Sequence, residues 1–235
     1  MNRLVIAMIG ALGLAVWGAE GQSLNTSAEL PPGPLLKGAP DDAHWLVRFA
    51  YPGSSTADAS QSPASQALIP PRPTEVSVVK TKPLWHAVTS GRTGVLMDCW
   101  GDSGATYSMP SKAKDPAFEI SRNQTTKQFD IPIPAAVGYD KRDFPDMEWI
   151  SSSTYIGSLK DGAVLVFREK ADGGATVYVD GKSRLPLRWQ KVHEVRDFVF
   201  LPAPNERLVF PPQILAIIKA GETIYEASMW PPRKR

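Results

Sequence analysis

From Met147 to Phe200 short apolar runs alternate with Asp-Gly turns, and this pattern restricts the possible architecture more than any other part of the chain. Tyr155-Ile-Gly-Ser-Leu-Lys leads to Asp161-Gly162. Ala163-Val-Leu-Val-Phe-Arg-Glu-Lys leads to Asp172-Gly173-Gly174, and Ala175-Thr-Val-Tyr-Val leads to Asp180-Gly181. Asp-Gly suits two-residue hairpin turns because both central residues need positive φ, which Gly and Asp tolerate best. The spacing predicts an antiparallel meander over 147–200.

Earlier segments add strands to it. Trp45, Val47, Phe49 and Tyr51 recur at every second position, the period of a half-buried strand. Glu75–Lys80, Leu84–Ser90, Val95–Trp100 and Ala105–Met109 read as further strands, with turns at 91–94 and 101–104. Phe118-Glu-Ile-Ser and Gln128-Phe-Asp-Ile are shorter candidates, and Pro132 and Pro134 confine the second to an edge. After Pro202-Ala-Pro204 the residues Ile214, Leu215, Ile217 and Ile218 predict a helix of about ten residues. Pro211 and Pro212 suit its first turn, and Gly221 is placed to end it. The fold class expected is mainly β, α+β at most: a bent antiparallel sheet or incomplete barrel with one C-terminal helix packed on it.

The N-terminus has the order of a secretory signal. Arg3 supplies a positive start, Leu4 to Trp17 form an uncharged and mostly apolar run, and small residues follow at Gly18, Ala19 and Gly21. The run falls short of the ~20 residues that span a membrane. Ala19-Glu20-Gly21 fits a small-x-small cleavage site, which places the cut after Gly21, with Gly18 as the alternative. Residues 1–21 therefore read as a signal peptide, and 22–40, with Leu30-Pro-Pro-Gly-Pro, as a flexible lead-in. Residues 41–228 form a single β-rich domain with a disordered-looking Ser/Ala/Pro/Gln loop at 52–73, and 229–235 a basic tail. The expected location is exported, periplasmic or extracellular, with no membrane span after cleavage.

The net charge of +2 is too small to imply nucleic acid or an anionic membrane as a partner. Cys99 is the only cysteine, so the domain must hold itself together without an internal disulfide. Cys99-Trp-Gly-Asp-Ser-Gly104 resembles the nucleophile segment of trypsin-like serine proteases, with Ser103 in the nucleophile's place. Ala105 stands where that family has a second Gly, and neither His44 nor His86 has the family's Ala-Ala-His-Cys setting. A serine hydrolase using Ser103 is thus a remote alternative, and Gly-Asp-Ser-Gly is equally good turn sequence. His44, His86 and His193 lack partners at metal-ligand spacing. Asp140, Asp143, Asp146 and Glu148 cluster without the order of a Ca²⁺ loop. No cofactor or metal is expected.

Aromatic residues carry the remaining signal. Trp45, Trp85, Trp100, Trp149 and Trp189 fall in strand-like segments, where their first role is core. A curved sheet would also line a cavity with such residues. Trp85, Trp149 and Trp189, with Ile214, Ile217 and Ile218 of the helix, are therefore the candidate ligand-binding residues.

Tyr155-Ile-Gly, Val164-Leu-Val-Phe167, Thr176-Val-Tyr-Val-Asp180 and Leu185-Pro-Leu-Arg-Trp189 occur in an order that resembles the LolA-like lipoprotein-carrier superfamily of exported bacterial proteins. The resemblance covers about 35 residues of 235. It implies an incomplete antiparallel barrel with helices in its concavity, where known members hold lipid or acyl chains. The leading expectation is an exported, non-enzymatic protein that binds an apolar ligand, a lipid or acyl chain, in the concavity of the sheet. The alternative is a structural or interaction domain of the cell envelope with a filled core, docking to a protein partner.

Overall fold

The computed structural model describes residues 23–53, 72–102, 105–110, 119–122 and 143–229. The signal at 1–21, most of the loop at 52–73, Ser103, the strand at Gln128 and the tail beyond Met229 lie outside them. The strands are β1 (Asp42–Ala50), β2 (Pro73–Thr81), β3 (Leu84–Gly91), β4 (Gly94–Gly101), β5 (Ala105–Pro110) and β6 (Glu119–Arg122). The second half adds β7 (Tyr155–Leu159), β8 (Val164–Arg168), β9 (Thr176–Asp180), β10 (Pro186–Lys191), β11 (Glu194–Leu201) and the helix α1 (Pro212–Met229).

All eleven strands form one open antiparallel sheet in the order β6-β5-β4-β3-β2-β1-β11-β10-β9-β8-β7. Every neighbour in that order is also a neighbour in sequence except one: β1 pairs with β11, as in Trp45↔Phe200 and Val47↔Phe198. The sheet is thus two meanders joined at a central seam. Register shifts between Pro73 and Glu75, Thr89 and Ser90, Tyr155 and Gly157, and Pro186 and Arg188 bend it, since a bulge kinks its strand and raises local twist.

Alternation puts the apolar positions on one face. Ala43, Trp45 and Val47 of β1, Val76 and Val78 of β2, Trp85 and Ala87 of β3, and Leu165 and Phe167 of β8 join Val177, Val179, Trp189 and Phe198 in one buried cluster. Cys99 shares that cluster, and burial, aided by the neighbouring Asp98 charge, pushes its thiol up to about 12. A thiol held protonated there is unreactive.

The Asp-Gly turn at the end of β7 has the backbone that its sequence requires. Asp161 and Gly162 have φ of 52° and 90°, and Ala163 N–H donates to Lys160 O at 3.1 Å. A β-carbon at Gly162 would meet nothing within 4 Å, so any penalty there is backbone strain alone. Gly162→Val is expected to cost about 1–2 kcal/mol, and a denaturant melt checks it; no change would mean that the turn relaxes freely. The β9–β10 loop is built differently. Burial pushes the Asp180 carboxyl up, but the Ser183 and Lys182 N–H groups, the Ser183 hydroxyl and the Lys182 charge outweigh it and hold the carboxyl below its ordinary value.

Two segments differ from the sequence reading. The lead-in is held, not free: Asn25 bridges Ser158, Lys37 N–H donates to Arg184 O, and Leu30, Leu35 and Leu36 pack on the core. Ser158 and Arg184 are more than 100 positions away in sequence, so no local period announces them. The helix runs through Gly221 to Met229. An internal Gly costs a helix only about 1 kcal/mol, and no proline follows until Pro231. Pro212 begins it, and Pro211 O accepts from Leu215 N–H at 3.1 Å.

Candidate functional site

The six candidate residues do not form one site. Trp85 and Trp189 belong to the main buried cluster, 3% and 6% exposed, and Trp149 packs half-buried against it. Ile214 is fully buried in a second cluster with Tyr107 and Phe210, where Ile217 and Ile218 pack half-buried beside Leu84 and Trp100. Successive strand residues point to opposite faces, and Trp100 follows Cys99 of the main cluster. The helix therefore lies on the face opposite Trp85 and Trp189, and not over the aromatic residues that it was expected to cover. Leu215, expected on its buried side, is 47% exposed.

What covers the main aromatic face is the chain itself. Phe144 meets Trp45, Phe198 and Phe200 edge-on at centroid distances of 6.0, 5.8 and 6.0 Å. Met147 is 2% exposed beside it. The polar residues around these two tie the segment down. Asp143 accepts from Lys80 Nζ at 3.0 Å and from Ala39 N–H at 2.9 Å. Arg196 NH1 donates to Asp146 Oδ2 at 2.7 Å and its Nε to Glu194 Oε1 at 2.6 Å. The same guanidinium lies over the Trp189 ring at 4.3 Å and the Phe49 ring at 5.8 Å. The acidic cluster read near 140–148 thus divides: Asp143 and Asp146 answer different cations, and Asp140 lies outside the described residues.

Among the described residues five buried donors have no acceptor: Nε1 of Trp45, Trp85 and Trp189, the Tyr155 hydroxyl and Arg184 NH1. Sequence reasoning missed Arg184, which sits at φ 63° in the β9–β10 loop and donates through NH2 to Pro32 O at 3.1 Å. It missed Phe144 and Met147 too, because they lie in no regular element. An open depression of about 450 Å³ lies between the tips of the β8–β9 and β10–β11 loops, lined by Asp172, Trp189, Lys191, His193 and Glu194 among others.

On the helix-bearing face, His86 Nε2 lies 2.9 Å from Asp98 Oδ1 and its ring stacks on Trp100 at 4.0 Å. Register explains the meeting: His86 pairs with Trp100 and Val88 with Asp98, so all three side chains share one face. Ser103, the candidate nucleophile, lies outside the described residues. Comparison with protein-family models and with curated proteins finds no match to this chain.

Proposed function

We propose that this chain is an exported, non-enzymatic domain of the cell envelope with a filled core, which acts by docking to a protein partner. The observation that carries this reading is the covering of the aromatic face by Phe144, Met147 and the lead-in leucines, with Trp45 and Trp85 left 2% and 3% exposed. A domain that fills its own concavity has its surface and its strand edges left for recognition. Native mass spectrometry of the purified mature protein tests it. The expected mass is that of the polypeptide alone, beginning at Gln22 if the signal is cut after Gly21. A co-purified lipid would overturn the filled-core reading.

One observation favours the second reading, an apolar ligand such as a lipid or acyl chain. Buried donors are nearly always satisfied in folded proteins, and among the described residues five are left without an acceptor, three of them on tryptophans of the main cluster. An amphiphile with acceptor atoms in its head would answer some of them. The open sheet accords with the incomplete barrel that a LolA-like resemblance implies. The single helix on the opposite face does not accord with helices in the concavity.

A further inference from the structure

The meander carries three Asp-Gly pairs, and the fold gives them unequal chemistry. In such a pair the Asp carboxyl carbon and the Gly amide nitrogen can close a cyclic imide, and glycine has no β-carbon to hinder the approach. In Asp180-Gly181 both reacting groups are tied down. Asp180 Oδ1 accepts from Ser183 N–H at 2.6 Å, from the Ser183 hydroxyl at 2.8 Å and from Lys182 N–H at 3.2 Å. Gly181 N–H donates to Ala163 O at 2.8 Å, and a β-carbon on Gly181 would strike the Gly162 carbonyl. Neither group turns toward the other without losing these partners. Asp172-Gly173 has the opposite setting. Ala171, Asp172 and Gly173 are all exposed, in the connection between β8 and β9. The turn there closes from Gly174 N–H to Ala171 O at 2.8 Å, a bond in which the Gly173 amide takes no part. Asp161-Gly162 falls between them: Asp161 is exposed, but its tight turn joins the paired strands β7 and β8 directly.

We propose that Asp172-Gly173 is a site of spontaneous backbone isomerisation, where aspartate becomes isoaspartate as the protein ages. The Gly173 amide nitrogen gives up its proton and attacks Asp172 Cγ. One carboxyl oxygen leaves as water, and the imide then joins Cγ, the nitrogen and the main-chain carbonyl of Asp172. Water reopens the ring. Attack at Cγ restores aspartate, whereas attack at the main-chain carbonyl leaves Gly173 bonded through Cγ and frees the α-carboxyl. One water leaves and one returns, nothing is oxidised or reduced, and the mass is unchanged. The main chain gains one methylene at this turn. Asp172 and Gly173 line the depression between the β8–β9 and β10–β11 loops, so the longer chain and the displaced carboxylate reshape it. At Asp180 electrostatics add to the geometric protection. Burial pushes that carboxyl up, but the Ser183 and Lys182 donors and the Lys182 charge outweigh it, and the anion that they favour expels water least readily.

The test incubates the full chain for weeks at neutral pH and physiological temperature, folded in one sample and unfolded in guanidinium chloride in another. Proteolytic mapping separates isoaspartyl peptides from aspartyl peptides of equal mass. An isoaspartyl carboxyl methyltransferase with labelled S-adenosylmethionine marks the same products independently. In the folded sample Asp172 is expected to convert about tenfold faster than Asp180 or more, the factor that one lost hydrogen bond to a charged group represents. Unfolding is expected to bring the two rates together, because each is then a plain Asp-Gly pair. Ser183→Ala removes the hydroxyl from Asp180, and it is expected to raise the rate there while leaving Asp172 unchanged. A folded chain in which Asp180 converts as fast as Asp172 would overturn the proposal. So would an Asp172 that converts only after unfolding, since the turn would then protect it.

Discussion

Asp143→Ala is expected to cost about 3–5 kcal/mol, the range for removing one member of a buried ion pair. The Asp143 and Lys80 side chains are 2% and 8% exposed, and their closest approach is 3.0 Å. The carboxylate also receives Ala39 N–H, so one change loosens β2, the segment before Met147 and the end of the lead-in together. Total stabilities of small domains are about 5–15 kcal/mol, so the variant should unfold at far lower urea than the parent. Replacing both partners, Lys80→Met with Asp143→Leu, should recover much of the loss because no charge remains buried. An Asp143→Ala melt within about 1 kcal/mol of the parent would contradict the burial of this pair.

Gly101→Val should be the second most damaging change. Gly101 pairs with Trp85 across β3 and β4, and a β-carbon there would overlap Cζ2 and Cε2 of the indole. Trp85 is 3% exposed and packed in the main cluster, so it cannot swing outward without opening the core. Overpacking of this kind costs about 1–3 kcal/mol, and a branched side chain belongs at the upper end. Tryptophan near-ultraviolet circular dichroism should change with stability. Gly94→Ala is the control: φ there is 114° and a β-carbon meets nothing within 4 Å, so only backbone strain is added. Its tryptophan signal should match the parent. A Gly101→Val protein with the parent's signal and melt would show that Trp85 has room to move.

The strands were legible because their signal is local. Trp45, Val47 and Phe49 alternate with polar or half-exposed neighbours, and β1 follows that alternation from Asp42 to Ala50. The Asp161-Gly162 turn was legible for the same reason, since its positive φ values are chosen by the residues themselves. The candidate site was not. Trp85 and Trp100 look alike in sequence, yet the pairing of Trp85 with Gly101 and His86 with Trp100 sends them to opposite faces. Periodicity tells that a residue alternates, and only register tells to which side. Leu35 and Leu36 lie among prolines with no period to report, so their packing on the core left no trace. Gly221 carried a true but weak signal, outweighed by the helix on either side of it.

The seam between β1 and β11 governs when the domain can form. Its residues, Trp45 and Phe200 among them, lie near opposite ends of the chain. Closing so long a loop must precede any gain from the pairing, and folds dominated by such contacts assemble slowly. A ribosome or a translocation pore releasing this chain N-terminus first delivers β1 early, but its partner arrives almost last. Until then the seam edge of β1 stands without its partner strand, open to chaperones and proteases alike. Under the export reading that delay is useful. A chain that cannot finish its sheet before its end appears stays threadable for the whole of its passage.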